Sequence, residues 1–307
     1  MNPNVYNCIL HTCCGLLAAT VALLSVLLKR SKDKIRKALE AKAKFGLSDY
    51  DKSLIEDIEH GLKNDEFKMY LQFIVENKTG RLVSAEALSR WEKADGELIF
   101  PGKYIPIMEK TGLITKLDYY MFEKACKKLS EWNGSEFTDI SISCNFTRST
   151  ISEEDFIAKL TEITSRYSFD KPKLMIEITE DSIEKNLDIA IKNILWAKEF
   201  GFSIALDDIG SGYTSLVNLC EYPIDVVKID RKILLMANEE KGKKLFLGIV
   251  SLAHYLNLTV VCEGVETEEQ NALVFDSDCD FIQGWYYSQG LPEDKAEAFA
   301  LDYINKA

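Results

Sequence analysis

The sequence predicts an α/β fold, a TIM-type (β/α)8 barrel, with a transmembrane helix ahead of it. From Lys68 onward short apolar runs alternate with longer amphipathic segments, the pattern of parallel strands joined by crossover helices. The runs MYLQFIV, LVSAEAL, DISISCNF, KLMIEIT, FSIALDD, VVKID, LTVVCEGV and DFIQGWYY match such a barrel in number, and the roughly 240 residues that hold them match it in size. Polar and acidic residues recur where these runs end, as a barrel with its site at the C-terminal mouth of the strands requires. A doubly wound open sheet is the other architecture that this alternation allows.

In chain order, the stretch from Cys8 to Leu28, CILHTCCGLLAATVALLSVLL, carries no formal charge and as a helix is long enough for a bilayer. Residues 1–30 are therefore expected to form a single-pass membrane anchor. A cleaved signal peptide is the alternative, but no basic residue precedes the run and no small-x-small site follows it. The next residues, KRSKDKIRKALEAKAK, place this side in the cytoplasm by the positive-inside rule. Residues 31–53, rich in Ala, Leu, Glu and Lys, read as a helical linker without sustained heptads. The catalytic domain is expected over residues 54–307. Segments such as DFIAKLTEITSRYS, LDIAIKNILWAKEFG and KKLFLGIVSLAHYLN supply its helices, each with apolar residues at three-and-four spacing.

Composition narrows the function. With 307 residues and 47% hydrophobic content, the chain has material for one large core or two modest ones. A formal charge of −12 argues against a DNA or RNA polymer as partner, because such affinity rests on Lys and Arg at phosphates. A small anion is compatible where metal ions supply positive charge. The cysteines at 8, 13, 14, 126, 144, 220, 262 and 279 show no CxxC pair and read as buried, reduced thiols. His11, His60 and His254 lie far apart, which disfavours a histidine metal site.

The run ends carry the chemistry: Glu86, Asn145, Glu177, Asp207 with Asp208, Lys228, Glu263 and Gln283. One acid at a strand end is ordinarily a helix cap or a solvated loop residue. Several converging on one mouth would repel one another and raise each other's pKa unless cations hold them. Oxygen-only ligands suit Mg²⁺ or Mn²⁺. Adjacent Asp207 and Asp208 suit two ions about 3.5 to 4 Å apart, an arrangement used for phosphoryl displacement. Lys228 is expected to contact a water or a phosphate oxygen, its plain structural role being a salt bridge to the acids.

At these residues the sequence resembles the EAL domain family. Glu86-Ala87-Leu88 stands within EALSRW, and the later blocks follow in order as CNFT with Asn145, EITE, DDIGSG, VVKID, EGVE and QGWYYS. The resemblance covers roughly Leu54 to Leu301. It implies hydrolysis of cyclic di-GMP to its linear form with two Mg²⁺ or Mn²⁺ ions. By this likeness Glu86, Asn145, Glu177 and Asp207 would hold one ion, and Asp207, Asp208 and Glu263 the other. Glu263, Lys228 and Gln283 would serve the attacking water, while Gln72, Leu88 and Arg90 would contact substrate. Glu180, Gly210, Gly212 and Glu266 would support the loops, and the DDIGSG loop implies a homodimer. The family's Tyr-x-Gln-Pro-Ile block is Tyr70-Leu71-Gln72-Phe73-Ile74 here, so a proline expected to stiffen the groove is replaced by Phe73. Ile209 stands where the family has Phe. The alternative functions are a catalytically weak EAL domain acting as a cyclic di-GMP receptor and, more remotely, a Schiff-base enzyme using Lys228 as its nucleophile.

Overall fold

The computed structural model describes residues 21, 23–26, 28–31, 47–179, 187–210, 219 and 222–306. Helix α1 (Asp49–Lys63) opens on a capping box, in which the Ser48 side chain accepts from the Asp51 amide and Asp51 from that of Ser48. Its apolar face, led by Ile55 and Ile58, is buried against the barrel. Strands β1 (Phe67–Glu76) and β2 (Leu82–Glu92) follow as a hairpin, extended by β3 (Leu98–Ile99). Helices α2 (Pro101–Thr111) and α3 (Ile114–Trp132) lead into β4 (Ser141–Phe146). Then come α4 (Arg148–Ile151), α5 (Phe156–Thr164), β5 (Leu174–Thr179), α6 (Leu187–Glu199) and β6 (Ser203–Ile209). Strand β7 (Val226–Ile229), α7 (Arg231–Met236), α8 (Glu240–Tyr255), β8 (Thr259–Cys262) and α9 (Glu268–Phe275) continue the alternation. Strands β9 (Phe281–Gln283) and β10 (Leu291–Pro292) and helix α10 (Glu293–Lys306) complete it.

The strands close on themselves in the order β1-β2-β4-β5-β6-β7-β8-β9-β1, with β3 and β10 added at the rim. The closed α/β barrel of the expectation is thus present, with one difference. β1 runs antiparallel to both of its barrel neighbours, β2 and β9, while the others pair in parallel. The cause is connection length: a parallel return takes a crossover of a dozen or more residues, whereas β1 and β2 are joined by Asn77–Arg81. That turn is closed by the Gly80 amide on the Glu76 carbonyl at 2.8 Å, with Gly80 at φ +71°.

Two apolar layers hold the strands. Inside the barrel, Ile74, Ala205, Val226 and Val261, flanked by Val83, Met175 and Phe281, form the floor beneath the mouth. Outside, the strands' other faces and the helices share one large core, with Phe67, Trp91 and Tyr104 packed ring against ring. Cys126, Cys144, Cys262 and Cys279 are buried free thiols.

The expected single-pass location at the cell membrane, with its cytoplasmic catalytic domain, is overturned. Among the described residues no helix is long and apolar enough to cross a membrane. A span takes about 20 consecutive apolar residues. The helical residues described in that segment are 21, 23–26 and 28–31, which end in Lys29, Arg30 and Ser31. Residues 1–20, most of the expected span, lie outside the described residues, as do residues 32–46 of the expected linker.

Candidate active site

The β1–β2 hairpin builds one wall of the mouth. Pairing of β2 with β4 stops at Ala87–Cys144, so the remainder of β2 rises above the barrel rim beside β1. Glu86 sits at that rim, opposite Gln72, while Leu88 pairs with Tyr70 and Arg90 with Lys68. Glu86, Leu88 and Arg90 share one face of the strand because side chains alternate. Arg90 is wedged between aromatic rings, its guanidinium carbon 5.6 Å from the Tyr70 centroid and 5.4 Å from that of Phe100. Phe100 was not singled out in the sequence; the available signal was an aromatic side chain just ahead of Pro101.

Lys228 occupies the centre. Its side chain is 1% exposed, and Nζ lies 2.6 Å from Glu263 Oε1, 3.0 Å from Glu177 Oε2, 3.2 Å from Glu86 Oε2 and 3.7 Å from Asp207 Oδ1. Glu86 Oε1 accepts from Asn145 Nδ2, and Glu86 Oε2 from Gln283 Nε2, each at 2.6 Å. Gln72 donates to the Ser288 carbonyl at 3.1 Å and lies within 3.4 Å of Gln283. The residues expected at the mouth therefore converge, drawn from β1, β2, β4, β5, β6, β7 and β9 and from the residue after β8.

Asp207 and Asp208 reach the cluster through a break in the sheet. Neighbouring residues of a regular strand point to opposite faces. Here the β6–β7 register shifts between Leu206 and Ile209, Asp208 takes φ +61°, and its amide donates to Asp207 Oδ1 at 2.8 Å. Both carboxylates thereby join Glu263, with one oxygen from each of the three within 4.8 Å of the others. Gly210, at φ +95°, packs so tightly on Ile233 that a Cβ would come within 2.4 Å of it. Glu266 pairs with Arg231, next to Gly264. Glu180 and Gly212 lie outside the described residues.

The electrostatics are unbalanced. Burial acts to raise every carboxyl here, and for Glu86 it is outweighed by Lys228, Gln283 and Asn145, which bring that acid below its ordinary value. Burial together with the neighbouring acids lifts Glu177 and Asp207 above theirs, and Glu263 to about 8. The same acids hold the Lys228 ammonium well above its usual range despite burial. Among the described residues, one cation thus serves four carboxylates. Glu177 Oε1 is buried with no hydrogen-bond partner among the described residues. An orphaned carboxylate oxygen within an over-acidic, all-oxygen donor set fits hard divalent cations.

A closed α/β barrel whose mouth gathers acids around a buried lysine is the class that fold and site define. The EAL domain model matches residues 55–290, and the chain belongs to the EAL domain family. It is 30% identical over 246 residues to the signaling protein YkoW of Bacillus subtilis, covering 80% of this chain and 31% of that protein. It is 28% identical over 249 residues to the cyclic di-GMP phosphodiesterase NbdA of Pseudomonas aeruginosa, covering 81% of this chain and 32% of that one. The chain spans about a third of the length of these relatives. Among solved structures, the PaMucR phosphodiesterase in complex with c-di-GMP superposes with a TM-score of 0.75 at 28% identity, over 80% of this chain and 99% of that one. An EAL domain protein from Listeria monocytogenes gives 0.70 at 27% identity, over 83% of this chain and 98% of that one.

Proposed function

We propose that the chain hydrolyses cyclic di-GMP to linear pGpG in a reaction that depends on Mg²⁺ or Mn²⁺. The observation that carries this reading is the over-acidic cluster around Lys228, with Glu177 Oε1 unpartnered inside it. Relatives that bear the phosphodiesterase name and the c-di-GMP complex of a structural neighbour support the substrate. Glu86, Asn145, Glu177 and Asp207 would hold one ion, and Asp207, Asp208 and Glu263 a second. When bound, such ions neutralise charge and act as Lewis acids toward a phosphodiester.

The chain's own residues then bind and orient. Arg90, held by two rings, offers its guanidinium to a phosphate. Gln72 and Leu88 line the same face for the nucleotide. Lys228 Nζ and Gln283 Nε2 donate to the acids here; with those acids held by cations, the two groups would turn their hydrogen bonds to the oxygen of the attacking water. Water's oxygen joins phosphorus as the water gives up one proton, the phosphorus–O3′ bond breaks, and one proton is gained by the departing O3′, so that none is gained or lost overall. Phe73 does not lie in the groove: it is fully buried and stacks on Phe299 of α10 at 5.6 Å. Replacement of the family's proline therefore leaves the substrate face intact. We extend the reading to a homodimer, supported by the exposed apolar side chains Leu195 and Trp196 on α6.

The test is hydrolysis of cyclic di-GMP by the purified chain with Mg²⁺ or Mn²⁺, beside Glu86→Ala and a chelator. Linear product that requires both metal and Glu86 supports the enzyme. Tight binding of the dinucleotide without turnover would leave a receptor in its place.

A further inference from the structure

Asp118 is a buried acid for which the site described above has no use. It lies within α3, 6% exposed, and its Oδ2 accepts from the Thr147 amide at 2.9 Å, the Thr147 hydroxyl at 2.7 Å and the Thr150 hydroxyl at 2.5 Å. All three donors are neutral. Taking a carboxylate out of water without a cationic partner is costly, and burial pushes this carboxyl up to about 6.

Capping the short helix α4 does not account for that cost. Thr147 is itself the N-cap of α4, and a threonine hydroxyl can cap a helix unaided. Here it makes no cap bond to the backbone of α4; its hydroxyl lies 3.2 Å from that of Ser149 and 3.1 Å from that of Thr150, and donates to Asp118 at 2.7 Å.

What the arrangement controls is the end of β4. Thr147 follows Asn145 by two residues. Between them Phe146 is fixed in a nest of rings, its centroid 6.1 Å from Tyr119, 5.5 Å from Phe122 and 5.4 Å from Phe156. Asn145 is exposed, so packing around its own side chain does not hold it. Its side chain is held by the hydrogen bond to Glu86 and its backbone by pairing with Glu177 on β5; beyond that pair, the direction of the chain is set by the next two residues, one gripped by aromatic rings and one by Asp118.

We infer that Asp118 is a positioning residue: it pins the β4–α4 turn so that Asn145 presents its amide to the acidic cluster at the geometry a divalent cation needs. This rests on the hydrolase reading above. Groups that orient metal ligands change metal affinity or activity by roughly 10- to 100-fold when removed.

The experiment compares the full chain with Asp118→Asn, which keeps the shape and an acceptor but removes the charge. Calorimetry reads Mn²⁺ binding, product formation reads kcat and KM for cyclic di-GMP, thermal melting reads folding, and deuterium exchange reads residues 145–151. The expected variant melts no lower than the parent and exchanges faster over that segment. It binds Mn²⁺ about 10- to 100-fold more weakly and loses kcat in proportion, while KM moves less. Should it fail to fold, Thr147→Val, which deletes one donor and keeps the backbone amide, carries the same comparison with the same expected direction. A folded variant with parental Mn²⁺ affinity and kcat overturns the inference and leaves the hydrolase standing. A parent that neither binds Mn²⁺ nor hydrolyses the dinucleotide overturns the hydrolase reading, and the inference falls with it.

Discussion

Lys228 Nζ and Glu263 Oε1 lie 2.6 Å apart at the centre of the barrel mouth, joining the ends of two adjacent parallel strands. This contact belongs to a group in which one ammonium serves several buried acids. Removing one partner of such a group leaves charge uncompensated, at a cost of about 3–5 kcal/mol. Lys228→Met is expected to lose stability of that order in urea unfolding with chelator present, and to regain part of it with Mn²⁺. Parental stability in chelator would show that the lysine does not balance the acids.

Asp118 makes stability depend on pH. Its folded carboxyl is raised from 3.8 to about 6, mainly by burial, with Glu109 adding repulsion and the Thr147 and Thr150 donors opposing. Between these values the native state keeps a proton that the unfolded chain has released. The contribution of this group to stability is therefore greatest below about pH 4 and falls as pH rises to about 6, by on the order of 3 kcal/mol. Asp118→Asn should flatten the unfolding free energy over that window; a parental slope there would assign the pH dependence to other groups.

Gly284 follows Gln283 where the chain crosses the loop after β8. A Cβ there would fall 2.0 Å from the Val265 carbonyl oxygen, a backbone atom that cannot swing away. The Val265 amide also donates to the Gln283 carbonyl at 3.2 Å, so the loop bearing Glu263 and the strand bearing Gln283 move together. Gly284→Ala is expected to cost about 1–3 kcal/mol and to lower kcat, measured by thermal melting and product formation. Unchanged values for both would mean that the two segments can separate freely.

Phe73 faces Phe299, on the side of β1 opposite Gln72. Phe73→Leu should therefore lower stability by about 1 kcal/mol while leaving KM for cyclic di-GMP within about twofold. A larger rise in KM would place this position in the groove after all.

Trp196, 41% exposed on α6, tests the dimer. Trp196→Glu puts a charge where an apolar contact is proposed. Sedimentation should show dimer for the parent and monomer for the variant; the same species in both would remove α6 from the interface.

Much of this was legible in the chain itself. Run lengths and the three-and-four spacing between them marked the strands from MYLQFIV to DFIQGWYY, because burial imposes those periods on any sequence that folds this way. The identities of Glu86, Asn145, Glu177, Asp207, Lys228, Glu263 and Gln283 were legible too, since acids and amides at the ends of buried strands stand out against their surroundings. The anchor expected from the apolar run at Cys8–Leu28 found no membrane-crossing helix among the described residues. Apolar composition over such a length measures hydrophobicity, and does not by itself decide what buries it.

The sequence by itself determined the alternation of strands and helices and the chemistry of the mouth. Tertiary structure alone decided how those groups meet. It reversed β1, turned Phe73 outward onto α10, and set the bulge that brings Asp207 and Asp208 to one side. It also placed Lys228 among acids as many as 142 residues away and tied Asp118 to the turn beyond Asn145. The physical reason is that periodicity is a property of neighbours along the chain, whereas strand direction, register and the partners of a buried charge are fixed by contacts that exist only once the barrel has closed.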